Sequence, residues 1–413
     1  MLIGIRERWW CAVVVLCLMG TAAAQTPKPK VRAITAFLSL DRTQYRKQIA
    51  DTLKVLRTAR HEYERKGYEV ESVRITTEPF PQYIGGMSDA DALAFFREYD
   101  DLSVREHFDA NIGPAMLADG DDPHYADLLA HILSETRNLE SSIIIAGESG
   151  VQWKNIRAAA QLVKYVEEHS PRSQGNFNFT ATAMLAPYGP FFPGSYHLGA
   201  GQKFSIGLES ANVVEAVLAA YAGKPAEARL HLTEELSRHA AECEHIARRI
   251  EQLSGWTYVG IDPTPAPLGQ VSIGAAIEKF TGARFGSSGT LNAAALITAA
   301  VRAVPVQQVG YGGLMVPVLE DERLAERWSE GAYSIDSLLA YSAVCGTGLD
   351  TVPLPGDVSE QQLARILGDV ASLAYRWHKP LSARLQPVAG KKPGDRTDFD
   401  DPFLTNAILQ PLP

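Results

Sequence analysis

An acidic residue follows each of six apolar runs. They are Asp41 after 31–40, Glu78 after 68–76, Glu148 after 142–146, Glu209 after 203–208, Asp262 after 258–261 and Glu320 after 306–319. In parallel α/β proteins the reacting groups gather where strands end and loops begin. Carboxylates brought together there can bind a metal, hydrogen-bond sugar hydroxyls, or divide into a general acid and a general base through shifted pKa values. Asp and Glu are also ordinary helix caps, because they oppose the positive end of the helix dipole. Capping accounts for any one of these residues more readily than for all six.

A second concentration of chemistry lies between two of these runs. Residues 187–196 are dense in Pro, Gly and aromatic side chains, and His197 follows, ahead of a Gly-Ala-Gly turn. His197 is suited to proton transfer or to hydrogen-bonding a substrate. Tyr188, Phe192 and Tyr196 could stack on sugar rings, or else plug a core. Ser288, in the Ser-Ser-Gly-Thr ahead of an apolar helix, could offer hydroxyl and N–H groups to an anion, although the same residues are common caps. His231, Glu235, His239 and Cys243 recur every four residues, a spacing zinc ligands can use. Their Glu- and Arg-rich flanks favour a solvated helix face instead. Cys345 reads as a buried structural thiol.

The elements that must position these groups alternate. An apolar strand over 31–40 is followed by a helix with Tyr45, Ile49, Leu53, Leu56 and Tyr63 on one face, then by a strand over 68–76. This strand–helix–strand order implies parallel pairing with right-handed crossovers. Ser88 with Asp91 opens a helix, and Pro123 opens another. The alternation continues past the aromatic loop, through a long helix from Pro225 to Leu253, a strand-like Gly-rich stretch over 306–319, and a last strand over 380–388. No repeat or Gly/Ser linker divides the chain, so one large α/β domain covers 31–413.

Composition narrows the function classes. The chain has 413 residues, 46% hydrophobic and 21% charged, with a net charge of −9 and no basic block. That excludes the clustered positive surface nucleic-acid binding needs. Arg6 and Arg8, an apolar run from Trp9 to Met19 and Ala22-Ala23-Ala24 read as a signal peptide, 1–24, with a mobile leader over 25–30. The expected location is periplasmic or secreted, with no membrane span after cleavage. Cys11 and Cys17 leave with the signal, and Cys243 and Cys345 remain.

Several stretches carry a family resemblance: APYGPFFPGSYHLGAG in the centre, then GIDPTPAPLGQVSIGAAIE, VGYGGLMVPVLED, AVCGTGLDTVPLPGD and RLQPVAGKKPGD. In this order they resemble the uncharacterised domain family 711, also known as uncharacterised protein family 0210. The resemblance implies a barrel similar to that of the glycyl-radical enzymes. Roughly ten strands form two parallel halves that run antiparallel to each other, with a loop entering the middle. Val309-Gly310-Tyr311 lacks the preceding Arg and the full motif of a glycyl-radical loop, so no radical is expected. Opposed halves would place acidic strand ends at two different mouths. Glu148 and Glu209, from neighbouring units, form the preferred pair, with Asp262 and Glu320 a second group.

The expected function is an exported hydrolase acting on a carbohydrate or related polyhydroxylated compound. Glu148 and Glu209 would be acid/base or nucleophile, and His197 would position or protonate. Tyr188, Phe192, Tyr196, Glu78, Asp262, Ser288 and Arg384 would contact substrate. No cofactor is called for, and no metal ligand is assigned. A small-molecule binding protein and an enzyme using a divalent metal are the alternatives. The expected partners are a small molecule or glycan and a second copy of the chain.

Overall fold

The structure, a computed structural model, describes residues 27–412, so the segment read as a signal peptide lies outside the described residues. The first half opens with β1 (Lys30–Leu38), α1 (Tyr45–Arg65), β2 (Val70–Thr77) and α2 (Asp89–Glu106). It continues with β3 (Asp109–Asn111), α3 (His124–Glu135), β4 (Leu139–Gly147), the short β5 (Gly150–Val151), α4 (Trp153–His169) and β6 (Phe179–Ala183). The local signals act as expected. The apolar face of α1 is buried, and the Ser88 hydroxyl accepts from the Asp91 N–H to start α2. A left-handed residue, His107, ends α2. The short strand β3 gives almost no sequence signal and was passed over.

The second half follows the aromatic loop with β7 (Lys203–Glu209), α5 (Ala211–Ala220), α6 (Pro225–Ser254) and β8 (Thr257–Asp262). Then come α7 (Ile273–Thr281), α8 (Thr290–Arg302), α9 (Glu322–Ser329), α10 (Ile335–Ser342), β9 (Gly348–Pro355), α11 (Glu360–Trp377) and β10 (Leu381–Val388).

These strands form one 10-stranded sheet in the order β8-β7-β1-β2-β3-β4-β6-β10-β9, with β5 folded back on β4. Strands β1, β2, β3, β4 and β6 run parallel. At each side the direction reverses, β7 pairing antiparallel with β1 and β10 antiparallel with β6. The Gly-rich stretch read as a strand makes only isolated bridges instead. Gln308 extends the sheet from Ile261 at one edge, and Pro317 extends it from Asp350 at the other. Both edges therefore reach the same short segment, and the sheet wraps round as a barrel-like single domain.

The aromatic loop fills the interior of that curve. Thr35 on β1 donates to the Pro190 carbonyl at 3.1 Å, Asn111 on β3 donates to the Pro193 carbonyl, and the Ser195 and Thr76 hydroxyls lie 3.2 Å apart. Gly194 is required here, because a Cβ would lie 2.9 Å from Thr182 and 3.0 Å from both Leu185 and the Tyr311 hydroxyl. The loop is therefore a plug, and its cost of burial is met by hydrogen bonds to the inward side chains of the strands.

Asp262 fixes a second internal turn. Its carboxylate accepts from the N–H groups of Thr264 (3.0 Å), Tyr311 (2.7 Å) and Gly312 (3.3 Å). Gly310 sits over this carboxylate with φ +77°, and an added Cβ would lie 2.2 Å from Asp262 Oδ2. Gly310→Ala would meet both the left-handed penalty and the clash. It is expected to cost at least ~2 kcal/mol, read as a lower urea midpoint with unchanged slope.

Candidate active site

A cavity of ≈ 270 Å³ opens at one end of the sheet. Charged side chains Arg32 of β1, Glu71 and Arg74 of β2, Glu140 of β4, Glu320 and Arg384 of β10 line it. Because the halves are antiparallel, strands of the first half begin at this mouth while β7 and β8 end there. Arg32 is the extra residue of a bulge: two residues of β1 advance between Val31 and Ala33 against one of β7. Bulges re-aim side chains in this way next to sites of chemistry.

Arg32 is the hub. One of its terminal nitrogens donates to both Glu71 carboxylate oxygens at 3.0 Å and to Glu209 at 3.1 Å, and the other donates to Glu320 at 3.2 Å. Arg384 also binds Glu320, and its Nε donates to Asp350 at 2.9 Å. Two guanidinium groups thus serve four carboxylates, an imbalance that favours retained protons. Burial, with Glu71 alongside, pushes Glu209 up to about 7, and burial also raises Glu320.

Glu140 differs from these. Its carboxyl makes no hydrogen bond or ion pair among the described residues. Burial pushes it up to about 8, against the pull of Arg74 and Arg384. At neutral pH it is mainly a neutral acid able to donate a proton or a hydrogen bond.

Aromatic rings orient the cations. Phe192 stacks on Arg74 at 4.8 Å, Phe177 on Arg384 at 4.7 Å and Phe403 lies over Arg32 at 5.7 Å. Phe403 and Asp401 reach the mouth from the C-terminal segment, which bridges Arg396 with Ile408 and is tied to the body by an Arg172–Asp400 ion pair of 2.9 Å.

The model of the uncharacterised family DUF711 matches residues 24–400. This chain belongs to that family. A UPF0210 protein of Pyrobaculum aerophilum is 30% identical over 405 residues, covering 88% of this chain and 86% of the relative. One from Pyrobaculum arsenaticum is 31% identical over 83% of this chain and 79% of its own. One from Leuconostoc mesenteroides is 25% identical over 88% and 83%.

Within this family fold the candidates from sequence separate. Glu320, Phe192 and Arg384 line the cavity, and Glu209 sits buried behind it, joined to the wall through Arg32. Glu148 does not join them: it is exposed on the turn after β4, roughly 25 Å of strand away from Glu140. The preferred pair, Glu148 with Glu209, is therefore split between opposite ends of the sheet. Glu78 also lies at the far end, where it accepts from the Leu40 N–H at 2.9 Å. His197 is fully buried there, edge-on to Tyr188, its backbone N–H donating to the Thr77 carbonyl. Burial and Lys203 lower its pKa to about 4, so it stays neutral. Tyr188 accepts from Lys203 Nζ at 2.7 Å, and Tyr196 is buried, donating to the Leu185 carbonyl at 3.1 Å. Neither ring lines the cavity. Asp262 is committed to backbone, and Ser288 is exposed ahead of α8.

Other readings also change. His239 and Cys243 are buried against Tyr68 rather than on a solvated face, and burial moves His239 down to about 4 and Cys243 up to about 12. Both Cys243 and Cys345 are free thiols. Among the described residues no group of three His, Cys, Asp or Glu is placed to hold a metal.

Arg32, Glu71, Arg74, Glu140 and Asp350 were missed. Their signal was available: a charge inside a strand that is otherwise buried on both faces needs a partner or a role. Strand ends drew attention instead, following the rule for open parallel sheets, and that rule does not foresee strand beginnings sharing the mouth.

The raised value of Glu140 has a consequence for stability. The folded chain holds a proton that the unfolded chain releases near pH 4.3. The contribution of Glu140 is therefore fullest below that pH and declines as pH rises to about 8. Glu140→Gln should match the parent's melting temperature near pH 4 and exceed it increasingly up to pH 8, with the gap constant above. Arg32→Met should instead destabilise the fold by about 3–5 kcal/mol at pH 7, because it strands Glu71, Glu209 and Glu320; urea denaturation measures it.

Proposed function

We propose that this protein is an enzyme that carries out general acid–base chemistry on a small hydroxyl-bearing molecule, with hydrolysis of a carbohydrate-like compound as its reaction. The observation that carries this reading is Glu140: an unpaired carboxyl in an aromatic-walled cavity, pushed up to about 8, beside a buried network in which Glu320 is also raised. Two carboxyl groups with separated pKa values supply the two halves of such a reaction. Glu140 passes its proton to the leaving oxygen as the bond to carbon breaks. Glu320, which lines the cavity, takes in its deprotonated form a proton from the water whose oxygen forms the new bond to that carbon. Arg32 holds Glu209 in place, and Arg384 holds Glu320. The leader read in residues 1–24 supports an activity outside the cytoplasm, on a small molecule or glycan fragment.

The test incubates residues 25–413 with a panel of methyl glycosides, lactones, aldonates and uronates, followed by mass spectrometry. A compound should be consumed, and Glu140→Gln should lower kcat about 10²–10⁴-fold while the compound still binds. Glu148→Gln should leave turnover unchanged. A ligand bound and always returned unchanged would make this a binding protein instead, and full activity in Glu140→Gln would remove the assignment of the acid.

A further inference from the structure

The cavity wall contains uncommitted polar groups, and their chemistry defines what they can hold. Arg74 is nine-tenths buried. Its Nε is engaged, donating to the Ser72 hydroxyl at 2.8 Å and lying 3.3 Å from Asp109. Its terminal nitrogens are almost free: Nη1 comes no closer than 3.5 Å to the Pro190 carbonyl, and Nη2 makes no bond among the described residues. One face of the guanidinium is covered by Phe192. The group is thus oriented from behind and below, with two parallel donors left at the cavity it lines. The other buried arginines of this mouth, Arg32 and Arg384, already hold carboxylates. Thr347 lines the same cavity, and its hydroxyl is buried with no hydrogen-bond partner. Glu140 has none either.

We propose that the substrate is a small hydroxycarboxylic acid, its carboxylate docked on the two terminal nitrogens of Arg74 and its hydroxyls on Thr347 and Glu140. A planar carboxylate matches a guanidinium edge with two parallel hydrogen bonds. A neutral polyol would leave that buried edge unpaired, which is costly. A phosphate dianion suits the wall less well. Six acidic side chains line the cavity against four arginines, and Arg74, paired through its Nε with Asp109, is the buried arginine of this mouth whose terminal nitrogens carry no carboxylate. Glu140 stands beside the docking point without repelling an anion, because it holds its proton at neutral pH. The volume of ≈ 270 Å³ admits a molecule of on the order of ten heavy atoms, at ~30 Å³ for each water-sized unit.

This inference rests on the acid–base reading for the identity of the site, but it is tested by binding alone. Calorimetric titration at pH 7 would compare threonate and gluconate with their neutral counterparts threitol and glucitol, and with inorganic phosphate. An aldonate should bind at least tenfold tighter than its alditol and than phosphate. Arg74→Met should remove that preference, Arg74→Lys should keep part of it, and Thr347→Val should weaken the aldonate about three- to tenfold. Near-UV circular dichroism confirms that each variant is folded, and the Lys and Val variants carry the test where Met does not fold. Equal affinity for aldonate and alditol, tighter phosphate, no aldonate binding, or an unchanged preference in both Arg74 variants would overturn the proposal. Glu140→Gln separates the two readings: it should bind the aldonate even though it fails to turn substrate over. Binding that follows Arg74 while turnover ignores Glu140 would leave the carboxylate site standing and remove the acid.

Discussion

The buried guanidinium of Arg32 ties the two halves of the molecule together. It starts on β1, in the first half, and reaches Glu71 on the neighbouring β2, Glu209 on the antiparallel β7 and Glu320 beyond the Gly-rich segment. Removing these charges from water costs several kcal/mol per ion, and only mutual pairing with good geometry repays it. The seam between opposed strands is therefore held by an arrangement that is stable only when every member is present. The same requirement leaves the network short of positive charge, and burial raises Glu209 to about 7 and Glu320 above its ordinary value.

The aromatic loop shapes that site from the inside. Hydrogen bonds from Thr35 and Asn111 fix its carbonyls, so that Phe191, Phe192 and Pro193 become one wall of the cavity while Tyr196 and His197 are committed to the plug. Plug and cavity wall are therefore successive parts of one loop. Phe192 meets Arg74 because the backbone on either side of it is pinned to the strands. Neighbouring acidic residues divide similarly. Glu320 turns into the cavity, whereas Asp321 accepts from the first N–H groups of both α7 and α9 and from the Ser272 hydroxyl. The acidic pair after the Gly-rich stretch is thus one cavity-lining and one capping residue.

Much was legible from local pattern. Apolar periodicity placed α1, Pro225 opened α6, Ser88 opened α2, and the antiparallel halves followed from the family resemblance. Those features depend on nearest neighbours along the chain or on motifs that persist in order. The strand read over 306–319 failed because its glycines serve backbone contacts, as Gly310 does over Asp262 and Gly313 does against Gly346, rather than a continuous ladder.

The sequence by itself determined the α/β alternation, the family, the presence of an aromatic loop and a set of acidic residues that included Glu209 and Glu320. It determined these because burial periodicity, caps and motif order are properties of contiguous chain. Only the tertiary structure decided which carboxylates meet. Opposed halves bring the beginnings of five strands to the same mouth as the ends of the others. Glu140, early in its strand, therefore faces the cavity while Glu148, just past the far end of that strand, faces solvent. Strand direction and depth set that outcome, and neither is encoded in the spacing of residues along one segment.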